Sequence, residues 1–258
     1  MSNNIFSVKR LQLLFKQSFI HNAQFLLFST VAYVGVIFIV LSVVQLGNDL
    51  HPNGLENFQG FFATFVTVFG LLYVGHSFPA FRAKETTINY LMTPASVLEK
   101  FVFEFVNRIC LTLLALPLLY WLTFSAQGYF FNIFTDEDFD PIGPRYLFKV
   151  DEAPGLIYLL ITGGVLFALS LAFTGAAMFT KQPLVKSLFT VALVVMFFGG
   201  YSYIMIEHVG LGRYNPPEWM MLVPLEEEKA ITTISIGLLA AALLMLFVAY
   251  RKLKEREA

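Results

Sequence analysis

Leu156–Phe179, LIYLLITGGVLFALSLAFTGAAMF, runs the width of a bilayer without one charged side chain. A hydrocarbon core about 30 Å thick takes roughly 20 apolar residues in a helix, so this segment alone predicts a membrane protein. Five more segments meet the same requirement: Phe25–Leu46, Phe58–Phe78, Phe101–Phe124, Ser187–Ile206 and Ala230–Tyr250. Composition agrees, with 57% hydrophobic, 16% aromatic and only 14% charged residues. Soluble domains carry about a quarter charged residues. The expected fold is therefore an all-α membrane protein of six transmembrane helices, one domain over residues 1–258.

Orientation follows from the Lys/Arg bias of the connections. With the N-terminus inside, the cytoplasmic parts hold 13 of the 17 basic residues; only Arg145, Lys149, Arg213 and Lys229 remain opposite. This arrangement predicts both termini in the cytoplasm. Met1–Ile20 is interrupted by Lys9, Arg10 and Lys16 and is followed by no small-residue cleavage site, which argues against a signal peptide. Within it, Ile5, Val8, Leu11 and Phe15 recur at helical spacing, with Lys9, Arg10, Gln12, Lys16 and Gln17 on the other face. That pattern predicts an amphipathic interfacial helix over residues 1–24, serving as a membrane anchor or a partner contact. Two long polar links face outward. One, Ser125–Gly155, carries the acidic run TDEDFDPIGPR; the other, Glu207–Lys229, carries NPPEW and a Glu226–Glu228 cluster.

The largest structured polar stretch inside is Arg82–Lys100, RAKETTINYLMTPASVLEK. Ile88, Leu91, Met92 and Ala95 fall at i, i+3, i+4 and i+7, and Pro94 disfavours helix at Thr93. Ser96-Val97-Leu98-Glu99 is a capping-box pattern that starts a fresh helix leading into the third span. The result is a short amphipathic helix, a break and a new helix: an interfacial elbow or a docking helix for a soluble subunit.

Most catalytic chemistry lacks its residues. Cys110 is the only cysteine, the four histidines are far apart without an HExxH, and no serine sits in a GxSxG setting. There is no GxxxxGK[ST], so ATP hydrolysis would need another polypeptide. Glu104 and Arg108 stand four apart at the inner edge of the third span, where unpaired charge is costly, and are expected to form an ion pair. Gly163-Gly164 and Gly199-Gly200 suggest close helix packing, and Pro117 a kink. Thr162, Thr174, Thr190, Ser202 and Tyr203 are candidates to line a pathway. The mid-membrane stretches hold no charged group for ion coupling, which favours an amphipathic or lipid-like cargo.

The run NYLMTPAS-VLEK resembles the LPAS-x-x-EK type segment of ABC-2 type ABC transporter permeases, a bacterial six-span group. The N-terminal amphipathic helix, six spans and short basic loop TKQPLVK are similar to that group as well; Met92-Thr93 is a mild departure from its usual Leu and small residue. The resemblance implies an exporter's membrane subunit in the bacterial inner membrane, working as a homodimer or with a similar permease. ATP and Mg would be bound by a separate ABC-type ATP-binding subunit, with no cofactor on this chain. It also implies that Glu85, Thr86, Asn89, Tyr90, Met92 and Thr93 form the coupling helix that meets the ATPase, and it allows Glu207–Glu228 to dip back into the membrane, a plain external loop being the alternative. A membrane scaffold without transport activity is the alternative.

Overall fold

The computed structural model describes residues 6–47, 55–82, 87–88, 90, 92–133, 155–207 and 227–257. Among them the regular structure is all helical, and no strand occurs. The helices are α1 (Val8–Gly47), α2 (Leu55–Val74), α3 (Val97–Phe105), α4 (Leu111–Asn132), α5 (Gly155–Met178), α6 (Pro183–Glu207) and α7 (Glu227–Glu257). A π turn, Val106–Cys110, joins α3 to α4 in one rod, and a 3-10 turn, Pro79–Arg82, follows α2.

Among the described residues four stretches are long and apolar enough to cross a membrane: Asn22–Val44, Val97–Phe131, Leu159–Met178 and Lys229–Arg256. They coincide with the first, third, fourth and sixth expected spans. The second and fifth fall on α2 and α6, whose apolar helical stretches Gly60–Val74 and Pro183–Leu193 are shorter. The acidic loop and the candidate re-entrant segment lie mainly outside the described residues.

One expectation changes. Within the expected interfacial helix of residues 1–24, the part from Val8 onward is not set off from the first span, because α1 is a single helix of 40 residues; residues 1–5 lie outside the described residues. The physical reason is the absence of a breaker: no Gly or Pro occurs before Gly35. Nor is the apolar stripe reserved for lipid. The Phe15 ring meets Phe103 of α3 edge-on, with centroids 4.9 Å apart.

The chain forms two compact units. The first comprises Met1–Tyr73 and Thr93–Glu152, the second Val74–Met92 and Ala153–Ala258. In the first, α1 lies parallel to the α3–α4 rod. Arg10 meets Glu99, Phe15 meets Phe103, Tyr33 donates its hydroxyl to the Leu116 carbonyl at 3.1 Å, and Phe38 meets Phe130. The core is aromatic: Tyr33, Ile37, Leu41 and Tyr120 are buried, with Phe61, Phe62, Phe65 and Phe69 of α2 packed on them. Edge-on pairs Tyr33–Phe69 (4.9 Å) and Phe62–Tyr120 (5.3 Å) each contribute about 0.5–1.5 kcal/mol beyond area burial. Lipid gives apolar side chains no reason to leave it, so such packing is what can hold the helices together.

The second unit packs through small residues. Ala172, Ala176, Ala177, Ala242 and Ala249 are buried, and α5 lies parallel to α7. A Cβ on Gly163 would stand 3.4 Å from the Ser235 carbonyl oxygen, and Thr174 Oγ1 donates to the Met245 carbonyl at 2.8 Å. Further along, Arg256 donates to the Met178 carbonyl at 3.1 Å. Gly175 is tighter still, since a Cβ there would overlap the Ser187 side chain of α6. Gly163 thus fills its expected role, whereas a Cβ on Gly164 or Gly200 would meet nothing within 4 Å among the described residues. Phe78 holds a left-handed backbone (φ 52°) just before Pro79, an uncommon state for a bulky residue. Its ring is buried and set 4.9 Å from Phe173.

Gly175→Ala should lower the thermal midpoint of the protein in detergent micelles by an overpacking cost of about 1–3 kcal/mol. Gly164→Ala, which meets nothing, should leave it unchanged or slightly raised. Equal behaviour of the two variants would contradict the close α5–α6 approach.

Candidate functional site

The capping box is present as expected. Ser96 is extended (φ −70°, ψ 155°), its hydroxyl accepts from the Glu99 backbone N–H, and Glu99 Oε2 accepts from the Ser96 N–H at 2.8 Å. A helix start leaves four backbone donors without intrahelical partners, and this box satisfies two.

Glu99 does more than its sequence context foretells. Its Oε1 accepts from the Ser7 N–H at 2.6 Å and from Arg10 Nη2 at 2.9 Å and Nε at 3.2 Å. Ser7 is the N-cap of α1, since its carbonyl takes the first helical bond, from Leu11 N–H. In a self-contained box the third residue of α1 would be an acid, but that position is Arg10. Glu99 supplies the missing carboxylate from another helix. One fully buried carboxylate therefore caps two helix starts and neutralises the cation beside one of them. An ionised carboxylate accepts only, which matches the donors arranged around it. The signal for this role was a Ser N-cap without its acid, in a segment that carries no Asp or Glu before Asp49.

A turn further along, the expected ion pair is formed. Arg108 Nε lies 3.5 Å from Glu104 Oε2, and both side chains are nearly buried. The Arg108 guanidinium also sits over the Tyr73 ring, 4.7 Å from its centroid. Tyr73 in turn donates to the Asn107 carbonyl at 3.4 Å. Arg108 lies within the π turn, where Asn107, Arg108 and Ile109 are all buried. Three consecutive buried residues exceed what a single helical stripe provides; the wide turn brings them inward. Such turns inside α-helices recur at functional positions. Pro117 lies inside α4, which continues through it, so the departure from α geometry falls upstream of the proline.

A cavity of about 100 Å³ adjoins this region, lined by Ser29, Thr30, Tyr33, Tyr73 and Thr112 among apolar residues. Of the expected pathway residues, Thr174 is buried between α5 and α7, while Thr162 and Thr190 are exposed. Nothing is described for the side chains of Ser202 and Tyr203.

Of the six coupling positions, Glu85, Thr86 and Asn89 lie outside the described residues. Thr87, Ile88, Tyr90 and Met92 are helical, and the chain bends at Thr93 and Pro94. Met92 is 77% exposed, whereas the Tyr90 ring packs edge-on against Phe81, 5.2 Å away. Tyr90 and Met92 belong to the second unit and Thr93 to the first, so the predicted stretch is shared. Within the second unit Thr87 Oγ1 donates to the Ala80 carbonyl at 2.9 Å, and Arg256 lies over Phe81 at 4.9 Å. Among the described residues no group of His, Cys, Asp and Glu could hold a metal ion.

No family model, curated protein or solved structure matches this chain.

Glu99→Gln should destabilise the protein in detergent by about 1.5–3 kcal/mol, the range for hydrogen bonds to a charged group. Arg10→Ala should cost much less in the Glu99→Gln background than alone, because the two share one interaction; strictly additive losses would refute the shared cap. Glu104→Gln and Arg108→Met should each lower the melting midpoint more than the double variant does, since either alone strands a buried partner. A double variant less stable than both would show that the residues act separately.

Proposed function

We propose that this chain is the membrane subunit of an ATP-driven ABC-2 type exporter, carrying six spans with both termini in the cytoplasm of a bacterial inner membrane. The observation that carries the reading is the built turn between α2 and α3: helical Thr87, Ile88, Tyr90 and Met92, a break at Thr93-Pro94, then the Ser96–Glu99 box. Such a turn on the basic side gives a soluble ATPase a rigid surface on which to push.

Six spans gain support from helix direction. If α1 and the α3–α4 rod cross the membrane in parallel, the chain between them must return across it, and α2 is the helix available. The same holds for α5, α6 and α7. Three crossings per unit with an inside start put the C-terminus inside.

The mechanism follows from how the coupling helix is tied. Tyr90 seats it on Phe81 and the Pro79–Arg82 turn of the second unit, while Thr93–Ser96 leads it covalently into the capping box of the first. Displacement by an ATPase would therefore load α5 through Phe78 and Phe173, and α1 through Glu99. In a homodimer bound to two ATP-binding subunits, such loading would open an outward path for an amphipathic or lipid-like cargo. ATP and Mg remain on the partner subunits.

The test uses Met92, because its side chain is exposed and carries little of the fold. Met92→Asp should abolish co-purification with the ATP-binding subunit, and stimulated ATP turnover in nanodiscs, while leaving insertion and melting unchanged. Retained co-purification would exclude residues 87–93 as the docking helix. Retained binding without any ATP-driven cargo movement by the wild-type complex would favour the scaffold.

A further inference from the structure

An open cavity of about 780 Å³ lies within the first unit, outside the core, between the N-terminal part of α1 and the turn before α3. One wall is Arg10, Leu13, Leu14, Lys16, Gln17 and Ile20; the other is Thr93, Pro94 and Ala95. Its depth in a bilayer can be read from the helices. The apolar stretch of α1 begins at Asn22, so Lys16, six residues earlier, stands about 9 Å before it along the axis. Thr93–Ala95 likewise immediately precede the apolar stretch that begins at Val97. Because α1 and the α3–α4 rod are parallel, both walls lie at the same end, at the level of the lipid headgroups.

The lining has one chemistry. Among the described residues it contains two cations and no acid, and no Asp or Glu occurs anywhere in the chain before Asp49. Arg10 is anchored on Glu99, and Lys16 is exposed. Beside Lys16 stand Leu13 and Ile20, 64% and 70% exposed and seven residues apart on one helix face. Cation and bare apolar surface side by side fit an amphiphile better than water or a free ion.

We propose that this groove binds one anionic phospholipid, its phosphate met by Lys16 and its glycerol and first acyl carbons resting on Leu13 and Ile20. Charge complementarity selects the occupant. A zwitterionic lipid brings its own cation toward Lys16, whereas phosphatidylglycerol does not. The assignment rests on the membrane character of the helices and stands apart from any role in ATP-driven export. A lipid held there would wedge α1 against the Thr93–Ala95 turn, so leaflet composition would bear on the Glu99 cap beside it.

The test is native mass spectrometry of the purified full chain, titrated with phosphatidylglycerol or phosphatidylcholine in detergent. One phosphatidylglycerol should bind more tightly than phosphatidylcholine. Lys16→Gln should weaken phosphatidylglycerol about fivefold, the value of one cation near an anionic surface, without altering phosphatidylcholine. Lys16→Arg should restore it, Lys254→Gln should change nothing, and Leu13→Ser with Ile20→Ser should weaken binding while the charges remain. Equal affinity for the two lipids, or an indifferent Lys16→Gln, would overturn the proposal. Displacement of the lipid by glycerol phosphate at similar concentration would mark a free-anion site instead. If Lys16→Gln lost the ATP-binding subunit and kept the lipid, the groove would be a protein contact.

Discussion

The first unit is organised around a carboxylate that serves two helix ends. Glu99 caps its own helix through Oε2 and the start of α1 through Oε1, with Arg10 closing the arrangement. Helix starts must satisfy their free N–H groups, and near a membrane surface the supply of water for that purpose is reduced. Sharing one acid solves the problem for both helices and fixes their parallel register from the first turn. The contacts at Phe15–Phe103, Tyr33–Leu116 and Phe38–Phe130 then follow at successive levels. Removing Glu99 would release the ends of both helices together.

The second unit solves a different problem. Its helices α5 and α7 come close through Gly163, alanines and the Thr174 hydroxyl. Close approach of backbones maximises van der Waals contact where no hydrophobic driving force separates protein from lipid. Gly175 against Ser187 is the tightest point, and any larger side chain there would push α6 away. The two units therefore tolerate substitution differently: aromatic volume matters in one, the absence of a Cβ in the other.

The stretch between α2 and α3 joins these two kinds of packing. Its helical residues are seated on Phe81, whose ring also carries Arg256, and Phe78 accepts a strained backbone so that its ring can bury on Phe173. A loop with no task beyond connection needs neither the strain nor a capped helix restart. This is the physical ground for reading it as a surface that another protein pushes.

Much of this was legible in the sequence. Apolar runs of bilayer length declare themselves by composition, and the helix break and restart at Pro94 and Ser96 depend on neighbours three or four residues apart. The Glu104–Arg108 pair has the same local spacing. What could not be read involves partners far along the chain. The second role of Glu99 depends on Ser7, 92 residues away, and the tight seat of Gly175 depends on how α6 returns after a proline turn. Gly163 and Gly164 look alike as a dipeptide, yet among the described residues only Gly163 has a neighbouring helix within reach of an added Cβ. Sequence by itself determined which segments are helical and apolar, because periodicity, capping and hydropathy are local. Only the tertiary structure decided which carboxylate serves which helix and which glycine is indispensable, because those depend on distances between segments that no spacing encodes.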